Sequence, residues 1–242
     1  MHELPPGGCD VWWAETQTLP ERHLRVLDEV ETERAARFRP LANAARGERD
    51  RFTVGAAVIR LALARYLGCA PADVPVRRTC PHCGGPHGRP LAIGTDLEIS
   101  VSHSAERVLV AFSRAGRVGV DIERIRPGLK TESLYRLVLS VPEQEQLVSA
   151  DPAAALRGFF VYWTRKEALL KAAGCGLRKP MTELVVSPPD APPRLLSWTG
   201  EPAVPAEPAL VDLDGGADWA GALALLDSTG PVRHLDGREL LG

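Results

Sequence analysis

From Arg46 to Leu67 the apolar residues Phe52, Ala56, Ile59, Leu63 and Tyr66 recur at three- or four-residue spacing, with Gly68 as a stop. That spacing predicts a long helix with one buried face. Helical patterns also run over Leu24 to Phe38, where Pro40 ends the element, over Thr131 to Ser149, and over Pro152 to Ala173. Elsewhere the period drops to two. "DVWWAET", Asp10 to Thr16, predicts a short first strand; "LEISVSHS" and "RVLVAFS" read as a strand pair, and "GRVGVDIE" follows a Gly turn. Strand-like segments return as "TELVVSP", "RLLSW", "ALVDLD" and "WAGALALLD".

The second half thus repeats the plan of the first. "LEISVSHSAERVLVAF" and "ALVDLDGGADWAGALAL" are each a strand, a polar turn and an apolar strand, a weak signal of duplication. The expectation is an α+β fold of two similar subdomains, a pseudo-dimer, each with helices packed on a small, mainly antiparallel sheet. The junction is expected near Ser113 to Arg117, dividing residues 1–115 from 116–242, with a ligand in the cleft between the halves.

Composition narrows the classes. Hydrophobic residues make up 45% and charged residues 25% of 242 positions, as in ordinary globular proteins. Lysine and arginine number 29 against 31 acidic residues, so a net charge of −2 gives no general affinity for nucleic acid. "VGAAVIRLALA" is broken by Arg60 and too short to span a membrane. The N-terminal stretch shows neither a basic nor an apolar signal region, so a cytoplasmic protein with reduced cysteines is expected.

The segment "VGVDIERIRP" raises an electrostatic question. Asp121 and Glu123, two apart on a strand, share a face, where like charges cost energy unless something positive meets them. On the helix "FFVYWTRKEALLKAAG", Trp163, Glu167 and Lys171 are spaced by four and line one side. Two readings stay open. Either the strand end is solvated and paired with Arg124 or Arg126, beside an exposed Glu167–Lys171 helix pair. Or Asp121, Glu123 and Glu167 form a hard-oxygen site for Mg2+ and a phosphorylated substrate, with Lys171 reaching a phosphate oxygen.

Other segments offer anion contacts. Ser102, His103 and Ser104 end a strand, where hydroxyl, imidazole and backbone N–H groups can hold a phosphate. Arg34, Arg37, Arg49 and Arg51 lie in Arg-rich helical stretches. In "CPHCGGPHGRP", Cys80 and Cys83, with His82 or His87, suggest zinc, but the lack of a second C-x-x-C pair favours a tight reduced loop instead. Neither a P-loop nor a G-x-S-x-G elbow is present.

Taken together, "GVDIE", "WTRKEALLK", "SVSHS" and "HGRP" resemble the motif set of the 4′-phosphopantetheinyl transferases, in their longer, pseudo-dimeric, surfactin-synthetase-activating type. The resemblance implies transfer of the phosphopantetheine arm of coenzyme A to a serine of an acyl or peptidyl carrier protein, releasing adenosine 3′,5′-bisphosphate. It implies Mg2+ on Asp121, Glu123 and Glu167, with Glu167 also deprotonating the serine and Lys171 meeting the pyrophosphate. Trp163 and Lys166 are implied as positioning residues, and Arg34, Arg51, Arg89, Ser102 and His103 as coenzyme A contacts. Arg89 stands where lysine is common in that family, and Glu31 where some members carry a second basic residue. A carrier is expected to dock near Arg126 to Ser149, on a monomer that binds neither nucleic acid nor membrane. Two other classes remain as alternatives: a different metal-dependent nucleotide-pyrophosphate transferase or hydrolase, and a non-catalytic module binding coenzyme A or zinc.

Overall fold

The computed structural model describes residues 3–38, 42–80, 83–175, 179–199, 204 and 207–242. Its elements in chain order are β1 (Cys9–Glu15), α1 (Glu21–Leu24), α2 (Glu29–Arg37), α3 (Ala42–Leu67), β2 (Val76–Arg78), β3 (Pro90–Ala92), β4 (Glu98–Ser104) and β5 (Arg107–Ser113). There follow β6 (Val118–Arg124), α4 (Tyr135–Val138), α5 (Val141–Val148), α6 (Pro152–Ala173), β7 (Leu184–Val186), β8 (Leu195–Trp198), β9 (Ala209–Asp212), β10 (Trp219–Leu225), β11 (Val232–Asp236) and α7 (Arg238–Leu241). His82, weighed as a zinc ligand, lies outside the described residues.

The architecture is α+β, as the periodicities predict. Two compact units form, Met1–Ala115 with Gly230–Gly242, and Gly116–Thr229. This differs from the expected division at 116–242, because β11 returns to the first unit and pairs in parallel with β1. Its sequence, "VRHLD", is polar and half-buried, so it carries no strand alternation. What holds it is the backbone ladder and the ion pair of Arg233 with Asp10, whose Nε–Oδ1 distance is 2.7 Å.

In the first unit the sheet order is β11-β1-β5-β4, with β1, β5 and β4 antiparallel. The helix α3 lays Val54, Val58, Ile59, Ala62, Leu63 and Tyr66 against Trp12, Ile99, Val108, Val110 and Phe112 of that sheet. The second unit has the order β6-β10-β9, all antiparallel, and α6 packs on β6 and β10. Strand, helix, then hairpin is the plan of both. Equivalent pieces are β1 and β6, α3 and α6, and the hairpins β4–β5 and β9–β10.

Two expected helices are interrupted for local reasons. Leu24 to Phe38 divides because Asp28 makes a capping box with Glu31 and starts α2 afresh. Thr131 to Ser149 divides because the Glu143 carboxylate folds back to accept from the Ser140 N–H at 2.8 Å and starts α5 afresh, with Pro142 in its first turn.

Candidate active site

The site of the second unit is built by close approach of β6 to α6. A Cβ on Gly119 would lie 1.9 Å from the carbonyl oxygen of Ala168 and 2.5 Å from the nitrogen of Ala172. Only glycine lets the strand sit this near the helix backbone. The strand register then sets Asp121 opposite Ala222 and Glu123 opposite Ala220, small neighbours that leave room for the carboxylates. On α6, the left-handed Gly174 closes a helix that begins at the N-cap Asp151, whose side chain accepts from the N–H groups of Ala153 and Ala154.

Lys171 reaches across to the strand. Its Nζ donates to Asp121 Oδ1 at 2.6 Å and to the Val120 carbonyl at 3.0 Å. Asp121 is buried, whereas the lysine side chain keeps 27% of its exposure. One turn earlier on the helix, Glu167 is buried, and its carboxyl is pushed up to about 7. Burial is the chief cause, then the charge of Asp121; Lys171 opposes them and Glu123 adds to them. The bland alternative of an exposed Glu–Lys pair is therefore not what the fold builds. Trp163 is half-buried, tilted against Phe159 with ring centroids 6.0 Å apart.

The donor chemistry suits a hard divalent cation: three carboxylates against one ammonium, coupled strongly enough to lift a proton affinity. The three are more widely set than direct ligands of one ion. Among the described residues, only Cys80, Cys83 and His87 gather three ligand atoms within 4.8 Å of one another. Mg2+ commonly keeps several waters, so carboxylates at wider spacing still fit it.

Lys166, expected as a positioning residue, is fully buried and points elsewhere. Its Nζ donates to Glu143 at 2.5 Å, to the Val138 carbonyl at 2.8 Å and to the Met181 carbonyl at 3.1 Å. Glu143 also accepts from the N–H groups of Ser140 and Val186. This knot ties α4, α5 and β7 to α6. Beside it, buried Arg165 clamps Asp212 with Nε–Oδ1 and Nη2–Oδ2 distances of 2.8 and 2.6 Å, and donates to the Ser187 and Pro188 carbonyls. Neither Arg165 nor Glu143 was singled out from the sequence. The available signal was that α6 is apolar nearly all round, so any charge inside it must be paired.

In the first unit, Arg34 lies over the Phe52 ring, its guanidinium carbon 4.7 Å from the centroid. Arg78, missed in the sequence, approaches the same ring at 5.9 Å and Glu31 at 3.8 Å. Burial lowers the proton affinity of both arginines, and nearby Glu31 raises it. Glu31 itself is buried and accepts from Arg60 Nε at 2.5 Å, so the acidic departure at this position serves to hold arginines together. Arg51 Nη1 donates to the Ala105 carbonyl at 3.0 Å, in the tight turn between β4 and β5. Ser102 is buried and His103 exposed on neighbouring positions of β4. Arg89 donates from Nε to the Ile99 carbonyl at 3.0 Å and pairs with Glu98.

Residues 117–224 match the family model of the 4′-phosphopantetheinyl transferase superfamily. Curated relatives include the 4′-phosphopantetheinyl transferase HetI of Nostoc sp., 34% identical over 135 residues, or 54% of each chain. The 4′-phosphopantetheinyl transferase AcpT of Salmonella typhi is 38% identical over 91 residues, 37% of this chain and 47% of the relative. The chain spans about half the length of these curated relatives. A crystal structure of Thermotoga maritima holo-[acyl-carrier-protein] synthase aligns at 18% identity and a TM-score of 0.37, over 47% of this chain and 64% of that one. The resemblance carried by the paired motifs is met, and the matched span holds Asp121, Glu123, Glu167 and Lys171.

Proposed function

We propose that the protein transfers the 4′-phosphopantetheine arm of coenzyme A to a serine hydroxyl of a carrier protein, with Mg2+, releasing adenosine 3′,5′-bisphosphate. The observation that carries this reading is Glu167. Without a metal its carboxyl is lifted to about 7 by burial and by the charge of Asp121, so a cation held there would relieve the crowding and leave a buried carboxylate able to take a hydroxyl proton. Asp121 and Glu123 beside it would hold the ion together with Glu167, directly or through water. When bound, the ion supplies charge neutralisation for the pyrophosphate and for the crowded carboxylates.

The residues of the chain supply the rest. Lys171, bonded to Asp121, is oriented by it and partly open to solvent, so its ammonium can turn toward a departing phosphate oxygen. Trp163, half-buried, shields the same helix face from water. The Arg34–Arg78 pair over Phe52 would take a phosphate monoester, and Arg51, Arg89, Ser102 and His103 the remaining polar groups of coenzyme A. For the carrier, a groove of about 630 Å³ runs along Pro127 to Leu156, lined by Lys130, Tyr135 and Val148 among others. Val148 of that lining is exposed, and on the same stretch of chain so are Leu137, Val141, Arg126, Lys130 and Arg136. A stretch that exposes both apolar residues and cations suits an acidic helical surface.

The test is the intact mass of an apo-carrier incubated with coenzyme A, with and without Mg2+. The expected result is a gain of one phosphopantetheine in the presence of the metal alone. Unchanged mass across fatty-acid, polyketide and peptide-synthetase carriers would sink the reading.

A further inference from the structure

Between β2 and β3, ahead of Arg89, the stretch "TCPHCGGPHG" plays no part in the transfer chemistry above. It nonetheless brings the thiols of Cys80 and Cys83 and the imidazole of His87 together, every ligand atom within 4.8 Å of the others. Cys83 Sγ lies 2.9 Å from His87 Nε2. The backbone is wound to hold them there. Gly84 N–H donates to the Cys80 carbonyl at 2.9 Å and Cys80 N–H to the Gly85 carbonyl at 2.8 Å. Gly85 N–H points at Cys83 Sγ at 3.4 Å, a donor that favours the thiolate form metals require. A Cβ on Gly85 would meet that sulfur at 3.2 Å and the His87 ring at 3.1 Å, so the ligands close over a residue without a side chain. Both cysteines are free thiols.

We infer that Cys80, Cys83 and His87 form a zinc site, with water or an added small ligand in the fourth position. Two soft sulfurs and an imidazole at this spacing match zinc rather than a hard cation. Tetrahedral zinc sets neighbouring ligand atoms roughly 3.5 to 3.8 Å apart, so Cys83 and His87 need to part by less than about 1 Å. On binding, each thiol gives its proton to solvent and the imidazole binds through its neutral Nε2. Of the second ligand pair that the sequence lacks, His87 supplies one member, four residues after Cys83, and the fourth position falls to water.

The ion would do mechanical work. The strands on either side, β2 and β3, are three residues each, and such a hairpin is marginal alone. Zinc would pin its loop and fix the residue that follows, Arg89, against Glu98 and Ile99.

Elemental analysis of the intact protein, purified reduced from zinc-supplied cells, is expected to give about one zinc per chain. Cys83→Ser is expected to lose it, while Cys69→Ser, at an exposed cysteine outside the loop, keeps it. After chelation, Co2+ alone added to the wild type should give the intense visible bands of a tetrahedral thiolate site, a readout independent of whether Cys83→Ser folds. Less than about a tenth of a zinc per chain together with no such bands would overturn the site. So would full zinc in a folded Cys83→Ser protein, or a Cys80–Cys83 disulfide in the freshly reduced sample. None of these readouts involves transfer activity, so the zinc site and the proposed function fail separately.

Discussion

Both units place a buried aspartate on the first strand where a side chain from the last turn of the long helix meets it, yet the two meetings differ in charge. In the first unit Asp10 accepts from Tyr66 Oη at 2.7 Å and is clasped by Arg233 through Nε and Nη2 at 2.7 and 2.9 Å. Tyr66 Oη in turn accepts from Trp12 Nε1 at 2.9 Å. One negative charge meets one positive charge, and the set is a lock joining β1, α3 and β11. In the second unit Asp121 meets Lys171, but Glu123 and Glu167 crowd the same place. Among the groups that shift Glu167, three carboxylates including its own stand against one ammonium, so negative charge is crowded there. One architecture therefore gives a structural lock where charge balances and a crowded carboxylate cluster, the candidate site, where negative charge gathers.

The strongest way to break that comparison is Glu167→Gln. Transfer should fall by about 10²- to 10⁴-fold, the range for loss of a general base, as read by carrier mass over time. Stability should move the other way. The folded carboxyl titrates near 7, above its ordinary value near 4.5, so its contribution to stability is full at acidic pH and is lost as pH rises through 7. Glutamine cannot ionise and keeps what the glutamate loses. In metal-free urea denaturation at about pH 8 the variant should be more stable by on the order of 1–3 kcal/mol, with the gap closing toward about pH 5. Equal stabilities at both pH values would mean that Glu167 does not share the crowded charge.

Lys166→Met sharpens the contrast from within α6. Its loss strands Glu143 in the core, which should cost about 3–5 kcal/mol in denaturation, and the double change with Glu143→Gln should recover part of it. Lys171→Met takes the ammonium away from buried Asp121, so it should also destabilise, by about 1–3 kcal/mol because that lysine is partly open to solvent, and should slow transfer in the protein that remains folded. Next in size is Gly119→Ala, whose new methyl would press on the backbone of Ala168 and Ala172. Lifting β6 from α6 should cost roughly 1–3 kcal/mol and part Asp121 from Lys171, so transfer should fall in the protein that remains folded.

The periods of α3, α6, β4 and β5 were legible in the sequence because each buries one face, and the spacing of Trp163, Glu167 and Lys171 did set them on one side of α6. The direction of Lys166 was not legible: its motif suggests the site, whereas its partner Glu143 comes from the first turn of another helix. Likewise, the clasp of Arg233 on Asp10 joins residues at opposite ends of the chain, and no local period marks a strand whose residues are all half-buried or exposed. Arg78 escaped notice for a similar reason, since a charged residue beside a loop gives no sign that it will fold over Phe52.

The mildest test asks whether the first-unit lock is only a lock. Tyr66→Phe removes the hydroxyl that donates to Asp10 and accepts from Trp12, but leaves the clasp of Arg233 in place. Burial and the neighbouring Asp10 hold the phenol protonated well beyond its ordinary range, so the bond is lost as a neutral donor and not as a charge. The expected cost is about 1–2 kcal/mol in urea denaturation. Transfer rate, its Mg2+ dependence and its pH profile should all stay as in the wild type, because none of these residues is among those proposed to hold the ion or coenzyme A. A shift in the Mg2+ dependence at unchanged stability would show that the two aspartate–helix meetings are not separate, and would end the distinction drawn between them.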